Sequence, residues 1–227
     1  MKYFLLALIV SFSLLAQEDQ QQLVCIHGFL GATWNMHLLS KNFTKKGWDV
    51  TNWGYSSREK TIKSHSKDLV LELCKLAKKQ PGKAMDFLAH SMGCLVLRAA
   101  LNHPDCPHEA KIGKAVLLAP PNKGSAYAQF LNGFSLIRSF AKEMSGKELL
   151  TEGDFEHLGQ MPSSMENVLV IAGNGGYNPV IVGENDGTVA VSETCLSTPH
   201  QHIVLNTGHK TILFNKDTFI NAYYFLK

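Results

Sequence analysis

Five consecutive residues, Ala89-His90-Ser91-Met92-Gly93, follow a short apolar run and open an apolar helical stretch. That is the setting of a serine nucleophile on a tight strand-to-helix turn. A serine hydroxyl is a weak nucleophile. It must stand clear of the backbone, beside a base and near the positive end of a helix, and small residues at 89 and 93 permit that crowding. Such a serine requires backbone donors upstream for an oxyanion, then downstream an acid, then a histidine. His27-Gly28-Phe29 comes directly after the apolar run 22–26, so the amides of Phe29 and Met92 are placed to form an oxyanion hole. His27 itself reads as structural, tying loops together. Asn185-Asp186-Gly187-Thr188 follows a strand-like run through a Gly- and Asn-rich loop, which puts Asp186 where the acid is expected. Glu184, Glu193 and Asp154 lack that combination, and Asp86 falls inside a strand. Thr207-Gly208-His209-Lys210 comes after the last strand-like run and before the final helix, which makes His209 the general base. His200 and His202 have no third ligand nearby that would point to a metal. His90, at the variable position of the turn, is expected to point away from the base. The catalytic set read from sequence is therefore Ser91, Asp186 and His209, with Phe29 and Met92 at the oxyanion, and this chemistry calls for no metal or cofactor.

Six elements must carry these residues. Apolar runs at 22–26, 49–52, 84–88, 114–119, 167–172 and 202–205 alternate with helical patterns, and such alternation implies a mainly parallel sheet with helices on its faces. Ile62, Leu69, Val70, Leu73, Leu76 and Ala77 recur at helical spacing until Gln80-Pro81-Gly82 stops them. Residues 92–101 are apolar nearly all round, the pattern of a helix buried on most sides. Phe219, Ile220, Tyr223 and Leu226 give a closing amphipathic helix. Residues 125–161 break the rhythm, mixing Tyr127, Phe130, Leu131, Phe134, Leu136, Ile137 and Phe140 with Gly and charge. That stretch is too long for a plain connection and reads as a helical cap or lid over the site, against the blander reading of ordinary core helices.

Composition narrows the class. With 227 residues, 45% hydrophobic and 18% charged, the chain suits one globular domain, and its net charge of +3 comes without any basic block of the kind that binds nucleic acid. Lys75, Lys78 and Lys79 read as a solvated helix end. Residues 1–16 read as a secretory signal peptide, with Lys2 followed by an apolar run and Ala16 before a polar stretch. The domain proper is then 17–227, and export to the periplasm or medium is expected. Five cysteines match no zinc pattern; Cys25 and Cys94 read as small buried hydrophobes, and export would permit one disulfide among Cys74, Cys106 and Cys195 without identifying it.

From Leu23 to its end the chain resembles the α/β-hydrolase fold superfamily, and within it the lipase and esterase group that carries an H-G-F segment, a serine elbow, a P-N-x-G-S segment and an N-D-G-T/V acid loop. Here these are His27-Gly28-Phe29, Ala89 to Gly93, Pro121-Asn122-Lys123-Gly124-Ser125 and Asn185 to Val189. Two departures stand out: alanine replaces the first elbow glycine, and two leading strands are lacking, which implies a minimal version of the fold. The resemblance implies hydrolysis of carboxylic esters through an acyl-enzyme. The apolar insert favours lipid or fatty-acyl esters and transient contact with a lipid surface, since burying a chain contributes about 0.8 kcal/mol per methylene. A small-ester esterase, a thioesterase or an acyltransferase would use the same machinery, and a non-catalytic binding module on this fold is the alternative of a different class. Oligomeric state is not encoded in any feature of the sequence.

Overall fold

The apolar runs lie side by side in the computed structural model, which describes residues 20–141, 144–162 and 167–227. Strands β1 (Gln22–Ile26), β2 (Asp49–Trp53), β3 (Met85–His90), β4 (Lys114–Leu118), β5 (Asn167–Gly173) and β6 (Gln201–Leu205) form one sheet in the order β2-β1-β3-β4-β5-β6. Every pairing is parallel. A parallel sheet needs crossover connections and is covered on both faces, which is why its strands read as nearly continuous apolar runs. From β1 the chain moves outward to β2, then crosses back to β3 and grows the other way. That reversal opens a crevice beyond the carboxyl ends of β1 and β3, where open α/β sheets bind ligands. Phe29 and Ser91 both lie there.

Alternation along the strands supplies two cores. Val24, Ile26, Phe87 and Ala89 face helices α2 (Ile62–Lys79) and α3 (Met92–Leu101), whose Leu69, Leu73, Leu95 and Val96 complete that cluster. Leu23, Cys25, Leu88 and Val116 face the other way, against Met36, Leu39 and Phe43 of α1 (Thr33–Thr44) and Ala222 and Leu226 of α8 (Lys216–Leu226). Helix α2 starts where the Thr61 side chain accepts the Ser64 amide, and Lys78 and Lys79 sit in its last turn, favourable for the helix dipole. Every residue of α3 is buried, Arg98 included. A buried guanidinium requires partners, and Arg98 donates through Nη1 to Asn122 Oδ1 at 2.9 Å and through Nη2 to the Phe155 carbonyl.

After the short α4 (His108–Lys111) and β4, the chain makes α5 (Ala126–Leu131), α6 (Ser135–Ala141), α7 (Ser145–Thr151) and a 3₁₀ turn at Glu156–Leu158 before β5. No residue of α5 is buried and only Ala141 is in α6, while Phe130, Phe134 and Phe140 are half exposed and Leu136 is 84% exposed. Residues 1–16, read as a signal peptide, lie outside the described residues. Among the described residues no helix is long and apolar enough to cross a membrane. Strand β3 runs on to His90, two residues past the end of the apolar run, with consequences at the site below.

Candidate active site

The turn between β3 and α3 is held in an unusual shape. Ser91 has φ 53° and ψ −126°, a region non-glycine residues seldom occupy, and its amide is fixed by a 2.9 Å hydrogen bond to the Leu118 carbonyl on β4. Close packing against β1 dictates the residue two places on. A Cβ at Gly93 would stand 2.5 Å from the His27 carbonyl oxygen and 2.8 Å from that of Ile26, so only glycine lets the helix start this near the strand. Ala89, by contrast, has room: its methyl is part of the core on the α2 and α3 side, which accounts for alanine where related turns carry glycine.

Phe29 follows β1 and faces this turn. A Cβ on Gly28 would lie 2.9 Å from the Ser91 Cβ, which measures how closely the two segments approach. Among the described residues, no hydrogen bond within the protein uses the N–H of Phe29 or of Met92. Met92 is the first residue of α3, so its N–H has no partner within the helix and sits at the positive end of the helix dipole. The next residue after Phe29, Leu30, has φ 57° and is held by a 2.9 Å bond from its amide to Ser57 Oγ. His27 sits beneath: Nδ1 is 2.9 Å from the Gly28 carbonyl, Nε2 accepts the Tyr55 amide, the Tyr55 hydroxyl donates to the His27 carbonyl at 2.9 Å, and the two rings stack. Burial keeps His27 below the ordinary histidine pKa. It ties β1 to the loop after β2.

Asp186 and His209 come to Ser91 from the loops after β5 and β6. His209 Nε2 is 2.9 Å from Ser91 Oγ, and His209 Nδ1 is 2.7 Å from Asp186 Oδ2. The other oxygen, Asp186 Oδ1, accepts the amides of Thr188 at 2.9 Å and Val189 at 2.8 Å, so the carboxylate is fully engaged while its side chain is 1% exposed. A carboxylate only accepts, so Nδ1 of His209 carries the hydrogen and Nε2 is left to accept from Ser91. The backbone adds a second tie, His209 N–H to the Asp186 carbonyl at 2.9 Å. All five residues read from sequence therefore converge on one site at the crevice between β1 and β3.

The rival carboxylates have other partners. Glu193 caps the amides of Ala126 and Ala190, Asp154 caps Glu156, Glu184 receives the Asn174 side-chain amide, and Asp86 accepts the Lys114 amide from within β3. His202 bonds Thr194 and His200 the Thr198 carbonyl, and among the described residues no cluster of three or more metal-binding side chains exists.

His90 differs from its expected direction. Instead of pointing away from the base it reaches it: His90 Nε2 lies 2.9 Å from the His209 carbonyl, and the ring centroids are 5.0 Å apart. Burial, and then the neighbouring His209, push its pKa down to about 3, so the ring is neutral and donates through Nε2. The Pro121 to Ser125 segment also acquires a role its motif did not disclose. Asn122 Nδ2 donates to the Thr194 carbonyl at 2.8 Å and Ser125 Oγ to the Thr188 carbonyl at 2.7 Å, bracing the acid loop from β4.

A family model described as "Putative serine esterase (DUF676)" matches residues 16–154. Among solved structures, the mature lipase BlEst2 of Bacillus licheniformis is similar with a TM-score of 0.70 at 19% identity, covering 93% of this chain and 94% of that one. Phospholipase PlaB from Legionella pneumophila is similar with a TM-score of 0.63 at 18% identity, covering 92% of this chain and 59% of that one. The Pyrococcus furiosus esterase PF2001 has a TM-score of 0.62 at 17% identity, over 92% and 81% of the two chains. No curated protein matches the sequence. At these identities the structural likeness establishes the shared α/β-hydrolase fold.

Proposed function

This chain belongs to that serine esterase family and is a carboxylic ester hydrolase; we propose that it works by a Ser91-His209-Asp186 triad, through an acyl-enzyme, on lipid or fatty-acyl esters. One observation carries the triad: the unbroken run from Ser91 Oγ through His209 to Asp186, with contacts of 2.9 and 2.7 Å. Ser91 Oγ attacks the ester carbonyl carbon while His209 Nε2 takes its proton. The carbonyl oxygen becomes an oxyanion and receives the amides of Phe29 and Met92. Asp186 holds the tautomer and stabilises the imidazolium. His209 then gives the proton to the departing alcohol, leaving Ser91 acylated. Water repeats the sequence with His209 as base, releasing the acid and restoring the serine. Removal of one oxyanion donor from such a site costs about 3 kcal/mol of transition-state stabilisation.

The choice of lipid or fatty-acyl substrate rests on the exposed side chains of the segment after β4. Phe130, Phe134, Leu136 and Phe140 present apolar surface there, and Leu30 and Trp34, 56% and 68% exposed, present more beside the oxyanion loop. We read 125–161 as a cap that offers acyl chains an apolar path and touches lipid surfaces transiently. Export follows from residues 1–16 as a signal peptide. Two measurements test the proposal. Ser91→Ala should abolish hydrolysis of p-nitrophenyl esters and labelling by a fluorophosphonate, and full retention of either would refute the nucleophile. A chain-length series should rise toward medium and long acyl groups; a maximum at acetate would instead identify a small-ester esterase.

A further inference from the structure

Outside the catalytic site, two of the five thiols stand together. All five cysteines are free. Cys25 on β1 and Cys94 on α3 are enclosed in the two cores on opposite faces of the sheet, and burial raises both thiols far above the ordinary range. Cys74 is different. It lies on the side of α2, partly exposed, packed against the core that contains Cys106. Its Sγ donates to the Asp105 carbonyl at 3.5 Å. That carbonyl carbon is bonded to the nitrogen of Cys106, so the Cys74 sulfur rests against the peptide unit that carries the second thiol. Cys106 sits at the foot of a turn, its amide bonded to the His103 carbonyl, and Pro104 and Asp105 at the tip of that turn are exposed. Cys106 Sγ itself lies 3.9 Å from the Pro107 carbonyl, so joining the two sulfurs requires the Cys106 side chain to turn toward Cys74.

From this juxtaposition we infer that Cys74 and Cys106 form a disulfide when the protein encounters a disulfide oxidant. Cys74 is the more accessible thiol. As thiolate it attacks one sulfur of an external disulfide such as oxidised glutathione, breaking that S–S bond, forming a mixed disulfide and releasing one thiol. Cys106 then gives up its proton and attacks the Cys74 sulfur, expelling the second external thiol. Two protein thiols lose two electrons and two protons, and one oxidant disulfide gains them as two thiols. Burial pushes the Cys106 thiol up to about 11, which leaves it a poor nucleophile toward an external oxidant and makes Cys74 the first to react; the second step is intramolecular, with the mixed disulfide held beside Cys106.

The position gives the bond its consequence. Everything between the two cysteines is the unit that presents the nucleophile: the end of α2, all of β3, the turn at Ser91 and the whole of α3. A crosslink at 74 and 106 closes that unit into a loop and pins α2 to the far end of α3, restraining the unfolded chain without touching the site.

The experiment uses the full chain, purified reduced and then equilibrated with oxidised glutathione. Thiols are alkylated in denaturant and counted by mass spectrometry, followed by peptide mapping without reduction. The expected result is loss of two alkylatable thiols of the five, a linked pair of peptides containing Cys74 and Cys106, and a Tm several degrees above that of the reduced form. Cys74→Ser should keep Cys106 alkylatable and abolish the oxidant-dependent rise in Tm, with ester hydrolysis unchanged. Five alkylatable thiols after oxidation, a stable glutathione adduct on Cys74, or a bond to Cys195 would each overturn the inference.

Discussion

Replacing Asp186 by asparagine tests the triad most sharply, because the geometry dictates which way the amide must face. Asp186 Oδ1 receives two backbone amides, Thr188 at 2.9 Å and Val189 at 2.8 Å, while Oδ2 faces His209 Nδ1 at 2.7 Å. An amide group placed there has two orientations. With its NH₂ toward the backbone, two buried N–H donors face a third donor, at about 1–3 kcal/mol for each bond lost. With its oxygen toward the backbone those bonds survive, and the NH₂ faces His209. The second orientation wins. It forces Nδ1 to accept, so the ring hydrogen moves to Nε2 and points at Ser91 Oγ, which then has no base. The fold keeps its contacts while catalysis loses about 10⁴-fold in kcat, or about 5.4 kcal/mol. The assay is kcat and KM on p-nitrophenyl butyrate beside thermal unfolding. A control is Glu193→Gln, which alters a neighbouring carboxylate that caps Ala126 and Ala190 and should lower Tm while leaving kcat within tenfold. A loss of less than tenfold for Asp186→Asn in folded protein would refute the role given to Asp186.

His90→Leu removes the 2.9 Å bond to the His209 carbonyl while keeping an apolar side chain, and should lower kcat about tenfold with little change in KM, the worth of one buried hydrogen bond that aims the base. The same residue sets a pH dependence. In the fold it is held down to about 3, chiefly by burial, whereas in the unfolded chain it titrates near 6.5, so its contribution to stability is complete above about 6.5. As pH falls below that value the unfolded chain takes the proton first and stability declines until about 3, by up to about 1.4 kcal/mol per pH unit. Urea midpoints at pH 7.5 and pH 5 should differ accordingly, less so in His90→Leu; equal slopes for both proteins would contradict this. Gly93→Ala places a methyl 2.5 Å from the His27 carbonyl, a backbone atom that cannot step aside, and should cost about 2 kcal/mol or more by urea unfolding together with most activity.

The three residues that meet at Ser91 were legible because each lies in a segment that follows a strand-like apolar run, Ser91 directly after β3, His209 a few residues after β6 and Asp186 at the end of a longer loop after β5. Parallel strands covered on both faces leave apolar runs such as 22–26 and 167–172 that local patterning detects, and the active loops lie at their ends. His90 departs from its expected direction for a definite reason. The apolar run stops at Leu88, but β3 continues two residues, paired with β4 as far as Leu118 opposite His90. Carrying the two-residue alternation on from Leu88 would have placed His90 on the same sheet face, the one that receives Ile212 and Leu213 just after His209. The signal was present in the period, and the polar residue concealed it. The bracing of the acid loop had no such signal. Asn122 and Ser125 meet Thr194 and Thr188 only because β4 and β5 are neighbours in the sheet, and no local pattern records a contact across 63 or 72 residues.

The segment after β4 and the oxyanion loop share one support, and this bears on how substrate and chemistry are joined. Ser57 Oγ accepts the Leu30 amide, next to Phe29, while the Ser57 carbonyl accepts the Ser145 hydroxyl at the start of α7. Two further bonds lie within a few residues: Ser145 N–H to the Lys60 carbonyl at 3.0 Å, and the Ile62 amide to Glu148 Oε2 at 2.7 Å. Arg58 holds α6 as well, donating to the Phe140 carbonyl at 2.9 Å with its guanidinium 3.9 Å from the centre of the Phe140 ring. Contact with the oxyanion loop is also direct, since a Cβ on Gly146 would stand 3.0 Å from the Phe29 ring. Residues 57–62 thus carry the oxyanion loop on one side and the apolar helices on the other. On the proposed reading, the amide of Phe29 and the apolar surface of the segment after β4 are therefore tied to one support.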